Sequence, residues 1–157
     1  METFNITPHG LSLGQGTFKS AMIFKDKKEV EVLPIWLGSN EANILVQGAQ
    51  LNPREGSVHA ATLKIFEALG IVLQSVYFNE ISNNTQYAEI LAVQGGQKLR
   101  VRLRAQDALP LALQMGCTFQ TNQEIVEKSR TLNFNYQVMN PSLPELVSEK
   151  KDASHLH

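Results

Sequence analysis

The segment from Leu99 to Arg104, LRVRLR, constrains the fold of this chain more than any other stretch. Apolar side chains at 99, 101 and 103 alternate with three arginines, Arg100, Arg102 and Arg104. Because successive side chains of a strand point to opposite faces, the alternation predicts a half-buried strand with a cationic stripe on its open face. Such a strand needs a sheet to pair with and a core to cover its apolar side.

A helix is predicted directly after this strand. Asp107 is a favourable N-cap, Pro110 would occupy the third helical position, and Gly116 would end the helix. Arg104 and Asp107 would then meet at the corner where the strand becomes a helix. The unpaired N–H groups of a helix start favour anions and polar chemistry at such a corner.

The strand before the arginines is predicted to pair with them through a two-residue hairpin at Gly95-Gly96. The predicted pairs are Gln94 with Gln97, Leu91 with Arg100, Glu89 with Arg102 and Tyr87 with Arg104. This register places Ala88, Ile90 and Ala92 against Leu99, Val101 and Leu103 on the opposite, wholly apolar face.

Two further helices are predicted before this hairpin. The first follows Gly38, with Ser39 or Asn40 as its cap and Glu41 in its first turn, where an acid favours the helix dipole. The second is capped by Ser57 and ends at Gly70. Its predicted core stripe is Val58, Ala61, Ile65, Phe66 and Leu69. His59 lies in its first turn, away from that stripe.

Most predicted strands follow one another through hairpins, with helices inserted between them. This order predicts an α+β fold built on a largely antiparallel or mixed sheet, in a single domain. With 157 residues and a net charge of −1, the chain has no overall basic field, so any polyanion site must be a local patch. No apolar run has the length of a membrane span, and the expected location is the cytoplasm.

Each candidate polar residue has both a chemical and a structural interpretation. His59 could act as a general acid or base, or it could be an exposed helix-start histidine. Asp107 could orient a water, hold a divalent metal or fix Arg104, or it could serve only as a cap. Glu41 could be a catalyst or a first-turn acid. The arginine stripe could bind phosphates, or it could be neutralised by Glu89 and solvent.

Two segments resemble the bifunctional nuclease domain family. LPIWLGSNEANIL, residues 33–45, resembles the family pattern LPI-x-IG-x-x-EA-x-x-I, and RAQDALPLAL, residues 104–113, resembles RPSDAIALAL. Between them His59 stands eleven residues before Gly70, in the place of the histidine of the family segment RP-x-THD. The resemblance extends over about residues 17–129.

The resemblance implies nuclease action on DNA and RNA, an α+β fold and a homodimer. It assigns catalytic roles to Glu41, His59 and Asp107. It assigns phosphate contact to Arg104, which the arginine stripe extends to Arg102 and Arg100. A divalent metal ion is an open option, with no ligand set that the sequence identifies. Two family acids are replaced, one by Ala60 and one by Arg102, and an arginine repels a divalent cation.

Two classes of function therefore follow from the sequence. The first is a nuclease that binds and cleaves nucleic-acid phosphodiesters. The second is a non-catalytic module for polyanion binding or oligomerisation. Residues 1–129 are predicted to form the nuclease-like domain. Residues 130–157 are predicted to add a strand from Leu132 to Val138 and a loose tail, and the apolar face of that strand is expected to contribute to the homodimer.

Overall fold

Seven strands form one curled mixed sheet with four helices in the computed structural model, which describes residues 2–15, 19–48 and 57–132. The strands are β1 (Thr3–Ser12), β2 (Ser20–Asp26), β3 (Val32–Leu37), β4 (Ile71–Ser82), β5 (Thr85–Gln94), β6 (Gln97–Arg104) and β7 (Thr118–Asn122). The helices are α1 (Ser39–Gly48), α2 (Val58–Leu69), α3 (Ala105–Gln114) and α4 (Gln123–Thr131).

The strands lie in the order β3-β2-β1-β7-β4-β5-β6, so β3 and β6 form the two edges. Every neighbouring pair is antiparallel except β4 with β7, which is parallel. The predicted α+β class with a mixed sheet is confirmed. Three phenylalanines fill the centre of the core: Phe24 lies 5.3 Å from Phe78 and 4.9 Å from Phe119 between ring centroids.

The register of the β5–β6 hairpin is confirmed at every predicted pair. Gln94 pairs with Gln97, Glu89 with Arg102 and Tyr87 with Arg104. Gly95 and Gly96 have φ angles of 55° and 88°, in the left-handed region that a two-residue hairpin turn requires. The turn therefore fixes which face carries the arginines.

The apolar face of β6 is less buried than predicted. Leu99 is 62% exposed and Val101 42% exposed, while Leu103 is half-buried. The prediction of a half-buried strand was wrong for the first part of β6, because this strand lies at the edge of the sheet. Helix α3 packs on the sheet next to the Arg104 end of β6 and leaves the Leu99 end open.

Helix α2 has the predicted ends and a different buried face. Ser57 Oγ accepts a hydrogen bond from the Ala60 N–H at 3.0 Å, and Gly70 ends the helix at a φ of 71°. The predicted core stripe was wrong, since Val58 is 77% exposed and Ile65 and Leu69 are each 55% exposed. Phe66 is the one member of the predicted stripe that packs against the core, while Ala61 is exposed and Ala60, outside the stripe, is buried. The helix lies against β4 and α3.

Helix α3 begins three residues earlier than predicted. Its first residue is Ala105, Arg104 occupies the N-cap position without a side-chain cap, and Pro110 lies inside the helix. The predictions of Asp107 as N-cap and of Pro110 at the third position were therefore wrong. The early start buries Ala105 completely beside the sheet, so that the core and not the capping residue sets where the helix begins.

The end of α3 agrees with the sequence. Gly116 has a φ of 66° and follows the last turn. The Cys117 N–H donates to the Ala112 carbonyl at 3.1 Å and the Gly116 N–H to the Leu113 carbonyl at 3.4 Å, which is the Schellman arrangement. Cys117 is buried, and burial raises the pKa of its thiol.

The buried side chain of Gln86 on β5 connects the curled sheet to its own edge strand β3 and to α4. Its Oε1 accepts a hydrogen bond from the Trp36 N–H at 2.9 Å, and its Nε2 donates to the Pro34 carbonyl at 2.8 Å. Nε2 also donates to Ser129 Oγ at 2.8 Å. One amide of β5 thus occupies the free backbone groups of edge strand β3 and holds α4 against it.

The predicted strand from Leu132 to Val138 lies outside the described residues except for Leu132. Helix α4 continues to Thr131, so the proposed boundary after residue 129 falls within this helix. Asn122 caps α4, with its Oδ1 accepting from the Ile125 N–H at 3.0 Å. Among the described helices, none has the length and apolar character needed to cross a membrane.

We predict that Gln86→Ala lowers the free energy of unfolding by about 2–4 kcal/mol, since it leaves three buried polar partners unpaired. Chemical denaturation monitored by the fluorescence of Trp36 measures the change. Gln94→Ala on the same strand is the matched control, because Gln94 makes a single exposed hydrogen bond, to the Leu69 carbonyl. The control is expected to lose less than about 1 kcal/mol. Equal losses in the two variants would show that Gln86 does not hold the sheet closed.

Candidate functional site

The junction of β6 and α3 brings a guanidinium and a carboxylate together. Arg104 Nε donates to Asp107 Oδ2 at 2.7 Å, and both side chains are partly exposed. The hydrogen bond that Arg104 donates to Asp107 raises the pKa of Arg104, and the charges of Asp107 and Glu41 act in the same direction. Asp107 therefore fixes Arg104 at the helix start, which is one of the roles that its sequence position predicts.

Helix α1 brings Glu41 to the same junction, where Gln106 of α3 also lies. The Gly38 N–H donates to Gln106 Oε1 at 2.9 Å, which joins the start of α1 to the first turn of α3. A Cβ atom on Gly38 would lie 2.5 Å from Glu41 Oε1. The Glu41 carboxylate therefore packs against the Gly38 backbone, at a place where any side chain on residue 38 would collide with it. We call Glu41, Arg104, Gln106 and Asp107 the corner site.

The predicted caps of α1 lie inside the helix. The first helical hydrogen bond runs from the Ala42 N–H to the Gly38 carbonyl at 2.9 Å, so Gly38 precedes the helix and Ser39 is its first residue. The prediction of Ser39 or Asn40 as N-cap was therefore wrong. The earlier start brings Glu41 to the third helical position, where its carboxylate reaches back to Gly38.

His59 lies in the first turn of α2, and its side chain is half-buried. Helix α2 contacts α3, which carries Asp107, so the fold brings the two elements together. Within the described part of the chain, His59 makes no hydrogen bond or ion pair. The structure thus joins Glu41, Arg104 and Asp107 in one site and does not connect His59 to them by a direct contact.

The arginines of β6 are each paired with a different carboxylate. Arg100 Nη1 lies 3.4 Å from Glu89 Oε1. Arg102 makes a bidentate pair with Glu80, through Nε at 2.7 Å and Nη2 at 3.1 Å. Neutralisation by Glu89, one of the alternatives that the sequence leaves open, is thus observed at Arg100. Glu80 and Asp107 provide the same neutralisation for the other two arginines.

Arg102 is further fixed by an aromatic ring. Its Cζ atom lies 3.8 Å from the centroid of the Tyr87 ring. The hydrogen bond to Glu80 raises the pKa of Arg102, and the same hydrogen bond lowers the pKa of Glu80. The Arg102 guanidinium is therefore held flat over β5, with its charge largely balanced.

Two polar residues of this surface were missed by the sequence reasoning. Gln106 is a polar residue between buried Ala105 and Ala108, a pattern that could have indicated a specific partner. Glu80 lies on β4 at the cross-strand position of Tyr87, and a pairing scheme extended to β4 could have found it. Both depend on strands or helices that are distant in sequence.

The described residues do not form an evident metal centre. No group of three or more histidine, cysteine, aspartate or glutamate side chains within them could hold an ion. At the corner site, Asp107 is bound to Arg104, whose positive charge would repel a cation placed beside it. The donor set therefore does not fit a divalent ion, and we derive no chemical step through one.

Comparison with known proteins identifies the family. A search of curated proteins finds no match to the chain. A sequence profile described as the bifunctional nuclease domain matches residues 22–133, a range that begins within β2, extends past the end of α4 and includes all of the corner site. The match covers most of the 157 residues and agrees with the resemblance of the two segments. The chain belongs to the bifunctional nuclease domain family.

Proposed function

We propose that this chain is a nuclease-like protein that binds nucleic-acid phosphodiesters at the corner site. Its family supports nuclease-like or nucleic-acid-binding action. The observation that carries the proposal is the fixed guanidinium of Arg104 at the start of α3, where Asp107 holds its Nε. A guanidinium and free helix N–H groups are both donors that favour phosphate.

Arg104 is the best placed of the three arginines for a phosphate. Its pair with Asp107 uses Nε, and within the described residues no partner holds its two Nη groups, which leaves them as donors. Arg102 uses Nε and Nη2 on Glu80 and rests on Tyr87. The contact of Arg100 with Glu89 is longer than the ion pairs of the other two arginines. Arg100 also lies two residue pairs further than Arg102 from the start of α3.

Hydrolysis at the same site is a second candidate function, favoured by the contact between α2 and α3. In this proposal His59 exchanges a proton with the attacking water or the leaving oxygen, a role that suits a histidine near neutral pH. Arg104 stabilises the negative charge that develops on the phosphate, and Asp107 and Glu41 orient the polar groups around it.

The non-catalytic alternative is supported by specific residues. Ala60 and Arg102 stand where the related family segments carry acids, and no metal-binding group forms among the described residues. A protein with these replacements would bind a polyanion without cleaving it. Cleavage assays with single-stranded and duplex substrates, each with a divalent metal and with a chelator, decide between the two proposals.

We predict that Arg104→Ala weakens nucleic-acid binding about tenfold and reduces the salt dependence of binding by about one counterion, since one phosphate contact is lost. Fluorescence anisotropy across a series of salt concentrations measures both quantities. Arg130→Ala on α4 is the control, because Arg130 is exposed and has only a long contact to the Val32 carbonyl. An unchanged salt slope for Arg104→Ala, or no binding by the parent protein at low salt, would rule out the corner site.

For the hydrolytic function, we predict that His59→Ala lowers the cleavage rate about 100-fold or more, the range for loss of general acid–base catalysis. Binding of the substrate and the thermal unfolding midpoint should change little, since the half-buried His59 side chain makes no hydrogen bond or ion pair with the described residues. Asp107→Asn, which keeps the shape of the side chain, should also reduce cleavage. Full activity in His59→Ala, or its loss together with several degrees of thermal stability, would contradict a catalytic role.

A homodimer belongs to the same proposal, and uncovered apolar residues support it. Ile65 and Leu69 of α2, together with Leu99 and Val101 of β6, are large apolar side chains that the described residues leave exposed. Exposed apolar surface of this kind is typical of a contact with a second copy. The contribution expected from residues 133–138, and the cytoplasmic location, stay predictions.

We predict that Ile65→Glu raises the dissociation constant of the homodimer at least tenfold, because a charge would be buried without a partner. Sedimentation over a wide range of protein concentrations measures it. Val30→Glu is the matched control, since Val30 is equally exposed but lies in the turn between β2 and β3. A parent protein that is monomeric at high concentration would end the homodimer proposal.

A further inference from the structure

The guanidinium of Arg102 has one occupied face and one open face. Its Cζ atom lies 3.8 Å from the Tyr87 ring centroid, so the ring covers the inner face. The side chain of Arg102 is nevertheless 54% exposed, which leaves the outer face to solvent. The result is a flat, open surface on the side of the sheet where the other arginines of β6 point.

The orientation of this plane is fixed by three contacts. Glu80 accepts hydrogen bonds from Nε at 2.7 Å and from Nη2 at 3.1 Å, and Tyr87 supports the plane from below. The guanidinium crosses over β5 to reach β4, since Tyr87 and Glu80 are cross-strand neighbours. A side chain held at both its edge and its face loses little conformational freedom when a ligand stacks on it.

The charge of Arg102 does not make it a second phosphate site. Glu80 balances that charge and takes both Nε and Nη2 of Arg102, whereas Asp107 takes only Nε of Arg104, so Arg102 offers a phosphate fewer donors than Arg104 does. A flat, neutralised guanidinium instead favours a flat ligand, and nucleic-acid bases stack on arginine planes as well as on aromatic rings. The chemistry of the surface therefore indicates a base.

Arg104 lies at the right separation to bind the phosphate of the same nucleotide. Arg102 and Arg104 point to the same face of β6, and same-face residues of a strand are about 6.6–6.8 Å apart. Tyr87 pairs directly with Arg104 across the hairpin, so one ring links the two arginines. A base on Arg102 and a phosphate on Arg104 form one continuous nucleotide site.

We propose that Arg102 is a stacking platform for one unpaired base whose phosphate lies on Arg104, so that the ligand class is single-stranded nucleic acid. This inference rests on the proposed binding of phosphodiesters at the corner site. Bases within a duplex are already stacked on their neighbours and cannot reach the Arg102 plane without being flipped out. Arg102 thus determines the preference for single strands, and Arg104 supplies affinity that single strands and duplexes share.

The test is Arg102→Lys, which keeps the positive charge but loses the plane. Fluorescence anisotropy compares a short single-stranded oligonucleotide, its duplex and a strand of the same length with abasic sites throughout. We expect the variant to bind the single strand about tenfold more weakly, the size of one base-stacking contact, with duplex binding unchanged. The parent should bind the abasic strand about tenfold more weakly than the intact strand, and the variant should not distinguish them.

Arg130→Lys on α4 is the matched control and is expected to leave all three affinities unchanged. If Arg102→Lys reduces single-strand and duplex binding equally, or if the parent binds the abasic strand as well as the intact one, the stacking platform is refuted. The abasic comparison uses the parent protein alone and so does not depend on the folding of a variant. If Arg104→Ala weakens binding while Arg102→Lys does not, only this inference fails. If the parent binds no nucleic acid at low salt, both this inference and the proposed function fail.

Discussion

The tight turn at Gly95-Gly96 is the constraint on which the corner site depends. With φ angles of 55° and 88°, its two glycines set the register between β5 and β6. A slip of one residue would send the arginines to the opposite face of the sheet. Because the register holds, Arg104 is the last paired residue of β6 and Ala105 enters the core as the first residue of α3. The position of the candidate site is therefore a consequence of strand pairing.

The positive charges of the β6 arginines act over short distances and do not produce a long-range electrostatic potential. Each arginine of β6 has its own carboxylate partner, on β4, on β5 or on α3. Exposed ion pairs of this kind contribute little stability, and they reduce the positive potential that would attract a polyanion from a distance. Under the proposed function, recognition would therefore depend on positioned donors at Arg104 of the corner site and on the flat surface of the neighbouring Arg102. A net charge of −1 for the whole chain is consistent with such local recognition.

The parts of the structure that could be predicted from sequence are those that neighbouring residues determine. The β5–β6 register followed from alternation and a glycine turn, whereas the contact of Gln106 with Gly38 joins residues 68 positions apart and has no local signal. Asp107 is a residue type that favours the N-cap position, yet the helix begins earlier because Ala105 is buried as its first residue. The apolar stripe through Ile65 showed the correct period, but a period alone does not tell which side of a helix meets the core.

The central claim is that the fixed guanidinium of Arg104 binds a phosphodiester at the corner of β6 and α3. The most direct measurement is an NMR titration of the arginine side-chain Nε–H resonances and the backbone amides with a short single-stranded oligonucleotide. The account predicts that the Arg104 Nε–H resonance and the amides of Ala105 and Gln106 shift together and saturate at one affinity. Shifts confined to Arg100 or Arg130, or no shift at a saturating concentration of oligonucleotide, would contradict it.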